Sequence, residues 1–141
     1  MLLVAMSRGH IMLKREQATT IFTILILIVV SELLPYGAVL HFGNPEGEPL
    51  RETFSYFDLT PYGYANSGPF ITAILTCVLL VLAFIGLLAH YGRIRVMISI
   101  VSVAALATSL APIFVNCYSV LGGVISVLLL AVCLISFQKN V

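Results

Sequence analysis

Four long apolar runs, almost free of charge, set the terms on which this chain can fold. They cover Ala18–Leu40, Phe70–Ala89, Arg95–Ile113 and Ser119–Phe137. Each is close to the roughly 20 residues that a helix needs to cross the hydrocarbon core of a bilayer. A water-soluble chain carries about 25% charged residues to cover its outside; this one, of 141 residues, has 9% charged and 60% hydrophobic. Lipid is therefore the expected solvent for most of the chain. The fold class expected is all-α: an integral membrane four-helix bundle with a structured outer loop between the first and second helices.

Residues 1–17 form a basic N-terminal segment with Arg8, Lys14 and Arg15. An apolar run follows that is too long for a signal-peptide core of about 7–15 residues. It is expected to remain as an uncleaved first span over 18–40. Met12-Leu-Lys-Arg would also make an ordinary bacterial start, leaving Met1–Ile11 as an extension with no structural role. Pro35-Tyr-Gly favours an end or kink inside the first span, because proline lacks the amide proton a helix needs. The second span, 70–89, has a marked start: Asn66-Ser-Gly offers capping residues, Pro69 suits a first turn, and Gly92 is expected as its C-terminal stop. A turn over 90–94 leads to the third span, 95–113. A second turn over 114–118 leads to the fourth span, 119–137, and to the tail 138–141.

Basic residues collect on the cytoplasmic side of membrane proteins. With the N-terminus inside, Arg8, Lys14, Arg15, Arg93, Arg95 and Lys139 all fall there, six of the seven Lys and Arg. The segment 41–69 then faces outward with Glu46, Glu48, Glu52 and Asp58 against Arg51. The expected location is the plasma membrane, multi-pass, with both termini cytoplasmic. Small residues at i,i+4 let helix backbones approach in lipid. Ser119/Gly123 and Gly122/Ser126 in the fourth span, with Ala105/Ser109 and Ala107/Ala111 in the third, predict an antiparallel hairpin of these two helices.

Glu32 is the one charged side chain in the interior of a span. A carboxylate at the bilayer centre costs about 2.5–3.5 kcal/mol on insertion scales, which makes such residues functional suspects. Glu32 is accordingly a candidate proton- or cation-coupling group. If the helix ends near Gly37, however, Glu32 lies only about 7–8 Å below that end at 1.5 Å per residue. There it can reach interfacial water or pair with Arg51 or His41. The loop is the second candidate: Arg51, Tyr56, Asp58, Tyr62 and Tyr64 are its candidate contact residues. The partial alternation in Glu52-Thr-Phe-Ser-Tyr-Phe-Asp predicts an extended segment or short hairpin across the bundle.

No phosphate-binding glycine loop, no nucleophile with a base at telling spacing and no HExxH occurs. His41, Glu46, Glu48 and Asp58 match no known metal-ligand spacing. Cys77, Cys117 and Cys133 lie in or beside apolar spans rather than in a disulfide framework. The expectation is no enzyme, no catalytic residue, no cofactor, no metal and no nucleic acid. The expected partners are the lipid bilayer and a membrane protein or a second copy. The leading reading is an accessory subunit or self-associating scaffold working through the outer loop; the rival is a small oligomeric transporter or channel using Glu32.

Two resemblances accompany these readings. The stretch Phe57-Asp-Leu-Thr-Pro-Tyr-Gly-Tyr-Ala-Asn-Ser-Gly-Pro-Phe70 is similar to short uncharacterised membrane proteins of Gram-positive bacteria, a likeness over most of the chain that implies no activity. Four short helices with one glutamate in the first superficially resemble the small multidrug-resistance transporters, dimeric proton antiporters. In that family the glutamate sits mid-membrane and the loops are short, whereas here Glu32 is displaced outward and a long loop follows.

Overall fold

A computed structural model describes residues 15–63, 66–89 and 92–138. The expectations for residues 1–14, for Tyr64 and for the last three residues lie outside that range. Seven elements follow in order: α1 (Arg15–Leu33), β1 (Ala38–Phe42), β2 (Leu50–Phe54), α2 (Leu59–Gly63), α3 (Gly68–Leu88), α4 (Gly92–Phe114) and α5 (Val120–Phe137). Four of the helices, α1, α3, α4 and α5, are long and apolar enough to cross a membrane. They pack as a ring: α1 against α3 and α5, and α4 against the same two.

The seam of that ring follows one spacing. The buried residues of α1 include Ala18, Ile21, Leu25, Ile28 and Glu32, alternating steps of three and four. Pro69, Thr72, Thr76, Leu79 and Ala83 do the same on α3, and Gly122, Ile125, Leu129, Val132 and Ser136 on α5. That repeat is the one that winds helices around each other at shallow angles. The ring differs from a soluble bundle in two respects, the hydroxyls that join its aliphatic core and the large aliphatics on its outside. Thr72, Thr76, Ser102, Ser109, Ser126 and Ser136 are buried, while Val30, Val81, Phe84, Ile100, Val127 and Leu134 are exposed. In water such an outer surface would aggregate; in lipid it is the favourable arrangement.

Close contact comes from small residues. A Cβ added at Gly68 would lie 2.8 Å from the Thr108 carbonyl oxygen and 3.2 Å from the Ala111 Cβ, so the α3 backbone at Gly68 lies directly against the α4 backbone at Thr108. The Thr72 and Thr108 hydroxyls lie 2.9 Å apart across that pair, and those of Ser109 and Ser126 lie 3.1 Å apart across α4 and α5. Gly122/Ser126 and Ala105/Ser109 are therefore in the interface, as their spacing predicts. Ala107 instead faces outward.

Helix ends carry their own signatures. After α4, the Cys117 amide donates to the Pro112 carbonyl and the Asn116 amide to the Ile113 carbonyl. Asn116 has φ 54. This is the left-handed termination that glycine usually supplies and asparagine tolerates. At the far end of the bundle, Arg95 Nε and Nη2 donate to the carbonyls of Ser136 and Gln138 at 3.1 and 2.6 Å, satisfying the free carbonyls of the α5 terminus.

Two expectations are corrected, and one is met with a partner the sequence did not suggest. The first helix does not run to Leu40; it ends at Leu33, and Ala38–Phe42 form β1. Proline disfavours helical backbone in the residue before it, and Leu34 precedes Pro35. Released from the helix, Ala38–Phe42 pair antiparallel with Leu50–Phe54, Val39 opposite Thr53 and His41 opposite Arg51. Asn44-Pro-Glu-Gly turns the hairpin, with the Glu46 amide on Asn44 Oδ1 at 3.2 Å. Secondly, the alternating stretch after Glu52 does contribute a strand, but its partner comes from the apolar run assigned to the first helix. Thirdly, Gly92 does not stop α3, which ends at Leu88 with Ala89 extended; Gly92 opens α4.

Candidate functional site

The site is the junction where the hairpin seats on the bundle. Glu32, second to last in α1, is fully buried. Its Oε2 lies 2.7 Å from the Thr76 hydroxyl on α3, and its Oε1 has no hydrogen-bond partner among the described residues. Pairing with Arg51 or His41, expected from the sequence, does not occur among the described residues; His41 Nδ1 instead lies 3.8 Å from Cys117 Sγ. The Thr76 hydroxyl also lies 2.9 Å from the Ala73 carbonyl. One hydroxyl carries one proton, and here it has two acceptors.

Tyr56 covers Glu32. Its amide donates to the Glu32 carbonyl at 3.0 Å, satisfying a carbonyl that the α1 terminus leaves free. Its ring is 1% exposed. Gly37 leaves space for it, since a Cβ there would lie 2.7 Å from Tyr56 Cδ1. Burial pushes the Tyr56 phenol above its ordinary value, and any negative charge on Glu32 or Tyr118 pushes the same way.

Two further ties hold the hairpin. Asn66 Nδ2 donates to the Val39 carbonyl at 3.0 Å, and Ser119 Oγ donates to the Gly37 carbonyl at 2.5 Å. Ser119 Oγ also accepts from the Gly122 amide at 2.9 Å, capping α5. Ala38, Val39 and Leu40 of β1 are buried, whereas Leu50, Arg51, Glu52 and Thr53 of β2 are all exposed. The hairpin is thus clamped by one strand and open along the other.

The candidate loop residues divide. Tyr56 is the plug described above, enclosed rather than presented. Asp58 Oδ1 accepts the Thr60 amide at 2.8 Å and caps α2, and that bond, with the Thr60 hydroxyl, holds its carboxyl below the usual range. Tyr62 is half exposed and meets Phe70 edge-on, centroids 5.6 Å apart. Arg51 is exposed, and no carboxylate among the described residues pairs with it. Tyr64 lies outside the described residues. His41, Glu46, Glu48 and Asp58 do not gather into a metal-binding group among the described residues.

Sequence reasoning passed over Thr76 and gave Asn66, Gly37 and Ser119 other roles. A polar signal was present for Thr72 and Thr76, two hydroxyls one turn apart in an otherwise apolar span. Asn66 looked like a cap and is not one, whereas Ser119, read only as a small packing residue, caps α5. Compared with protein-family models, with curated proteins and with solved structures, the chain matches none.

Proposed function

We propose that this chain is a non-enzymatic membrane protein that acts through contacts made by its hairpin and α2, as an accessory subunit or self-associating scaffold. In this reading four helices span the plasma membrane with both termini cytoplasmic. The outer surface supports insertion: large aliphatics are exposed along all four long helices, while hydroxyls are paired inside the bundle. The positions of the basic residues support the orientation.

The observation that carries the contact role is the one-sided mounting of the hairpin. Tyr56, Asn66 and Ser119 fix it to the bundle while every residue of β2 up to Thr53 stays exposed. Leu50, Leu59 and Tyr62 are 56%, 62% and 50% exposed. A connector between two helices needs none of this; a pre-ordered surface loses less entropy on binding. The test is assembly size in a mild detergent after in-membrane cross-linking, for the wild type and Leu59→Ser/Tyr62→Ala. A defined complex lost in the variant, with insertion intact, supports the reading; a complex unchanged by both substitutions removes it.

A second reading rests on Glu32. Two acceptors for one Thr76 proton are both served if the Glu32 carboxyl is an acid that donates to Thr76 Oγ1 while the hydroxyl donates to Ala73. A carboxyl holding a proton inside a helix bundle is the raw material of proton coupling. The prediction is pH-dependent flux in reconstituted vesicles that Glu32→Gln abolishes. Flux equal to wild type in that variant takes Glu32 out of any transport mechanism.

A further inference from the structure

Between β2 and the first turn of α5 lies a groove of about 490 Å³. Its upper wall is Tyr36, Arg51 and Thr53; its lower wall is Ser119, Val120, Leu121 and Val124. Arg51 and Thr53 are alternate residues of one strand and so share a face. We propose that this groove binds the headgroup of an anionic glycerophospholipid, its phosphodiester on Arg51 and an acyl chain along α5.

Polarity changes along the groove as it does along a phospholipid. The Arg51 guanidinium is exposed and unpaired among the described residues, and its planar fork matches two phosphate oxygens. Tyr36, 64% exposed, stands at the same level with its hydroxyl. Below them the wall is aliphatic apart from Ser119, whose hydroxyl is already engaged by the Gly37 carbonyl and the Gly122 amide. It continues down the exposed face of α5 through Val127 and Leu134, 66% and 63% exposed.

Charge complementarity selects the occupant. Arg51 is the one Lys or Arg between Arg15 and Arg93. Its acidic neighbours in sequence, Glu46, Glu48, Glu52 and Asp58, do not line the groove. An acidic peptide would meet those carboxylates before it reached Arg51. A lipid arrives instead from the side, along α5.

The inference rests on the bilayer reading above, and the experiment separates the two. The full chain is reconstituted into nanodiscs of phosphatidylcholine alone and of equal phosphatidylcholine and phosphatidylglycerol. It is then re-extracted, and the retained lipid is measured by native mass spectrometry. Incorporation into the phosphatidylcholine discs reads membrane insertion by itself. One basic contact at a membrane surface corresponds to about fivefold enrichment. Wild type should therefore retain phosphatidylglycerol about fivefold above the bulk ratio. Arg51→Gln should fall to the bulk ratio, and Arg15→Gln, at the opposite end of the bundle, should match wild type. Retention at the bulk ratio in wild type, enrichment that survives in Arg51→Gln, or equal loss in Arg15→Gln overturns the proposal.

Discussion

Glu32 Oε2 and the Thr76 hydroxyl lie 2.7 Å apart, tying α1 to α3 inside the bundle, where both residues are fully buried. Removing one partner strands the other in a place water does not reach. Thr76→Val should therefore cost about 1–3 kcal/mol, the usual penalty for an unsatisfied buried polar group. Glu32→Gln keeps a donor for Thr76 Oγ1 and should cost less. The pair Glu32→Leu/Thr76→Val removes both needs and should recover most of the loss. Detergent unfolding titrations of these proteins and of Glu32→Leu alone measure this; a double variant whose loss equals the sum of the Glu32→Leu and Thr76→Val losses would contradict the pairing.

Tyr56 and Gly37 form a plug and its seat. Tyr56→Ala should cost about 3–5 kcal/mol, as for other buried aromatics, and should expose hairpin amides to exchange. Gly37→Ala should displace the ring with a smaller loss. The phenol's folded value is raised, so its contribution is complete below the ordinary tyrosine range and disappears as pH rises through the folded value. Tyr56→Phe should flatten that alkaline dependence. An alkaline profile unchanged in Tyr56→Phe would show that the phenol is not the titrating group.

Asp58 gives the opposite sign. Its folded value is lowered, so its contribution to α2 is present above the ordinary aspartate range and is lost as pH falls through the depressed value. Amide exchange across residues 59–63 should accelerate on acidification in the wild type and be pH-insensitive, beyond intrinsic chemistry, in Asp58→Ala. Membrane insertion should be the same in both.

Gly68 meets the Thr108 carbonyl, which is backbone and cannot rotate away. Gly68→Ala should separate α3 from α4, destabilising the bundle by about 1–3 kcal/mol, the range for overpacking a tight contact. Gly63, whose added Cβ would meet nothing within 4 Å, is the matched control. Its substitution to Ala should leave detergent unfolding within about 0.5 kcal/mol of wild type.

By itself the sequence determined the four apolar helices, the small-residue contact of α4 with α5, and the separation of basic from acidic segments. Each depends on local composition and spacing, which a helix expresses without help from distant residues. Only the tertiary structure decided that Ala38–Phe42 leave the helix, that Tyr56 turns inward, and that Glu32 meets Thr76 rather than Arg51. A short apolar run serves equally as buried strand or as helix end, and β1 exists because β2 returns to pair with it. Which face of an apolar helix turns inward is equally hidden when both faces are apolar. In this bundle the seam is marked by small and hydroxyl side chains, and their partners lie on other helices.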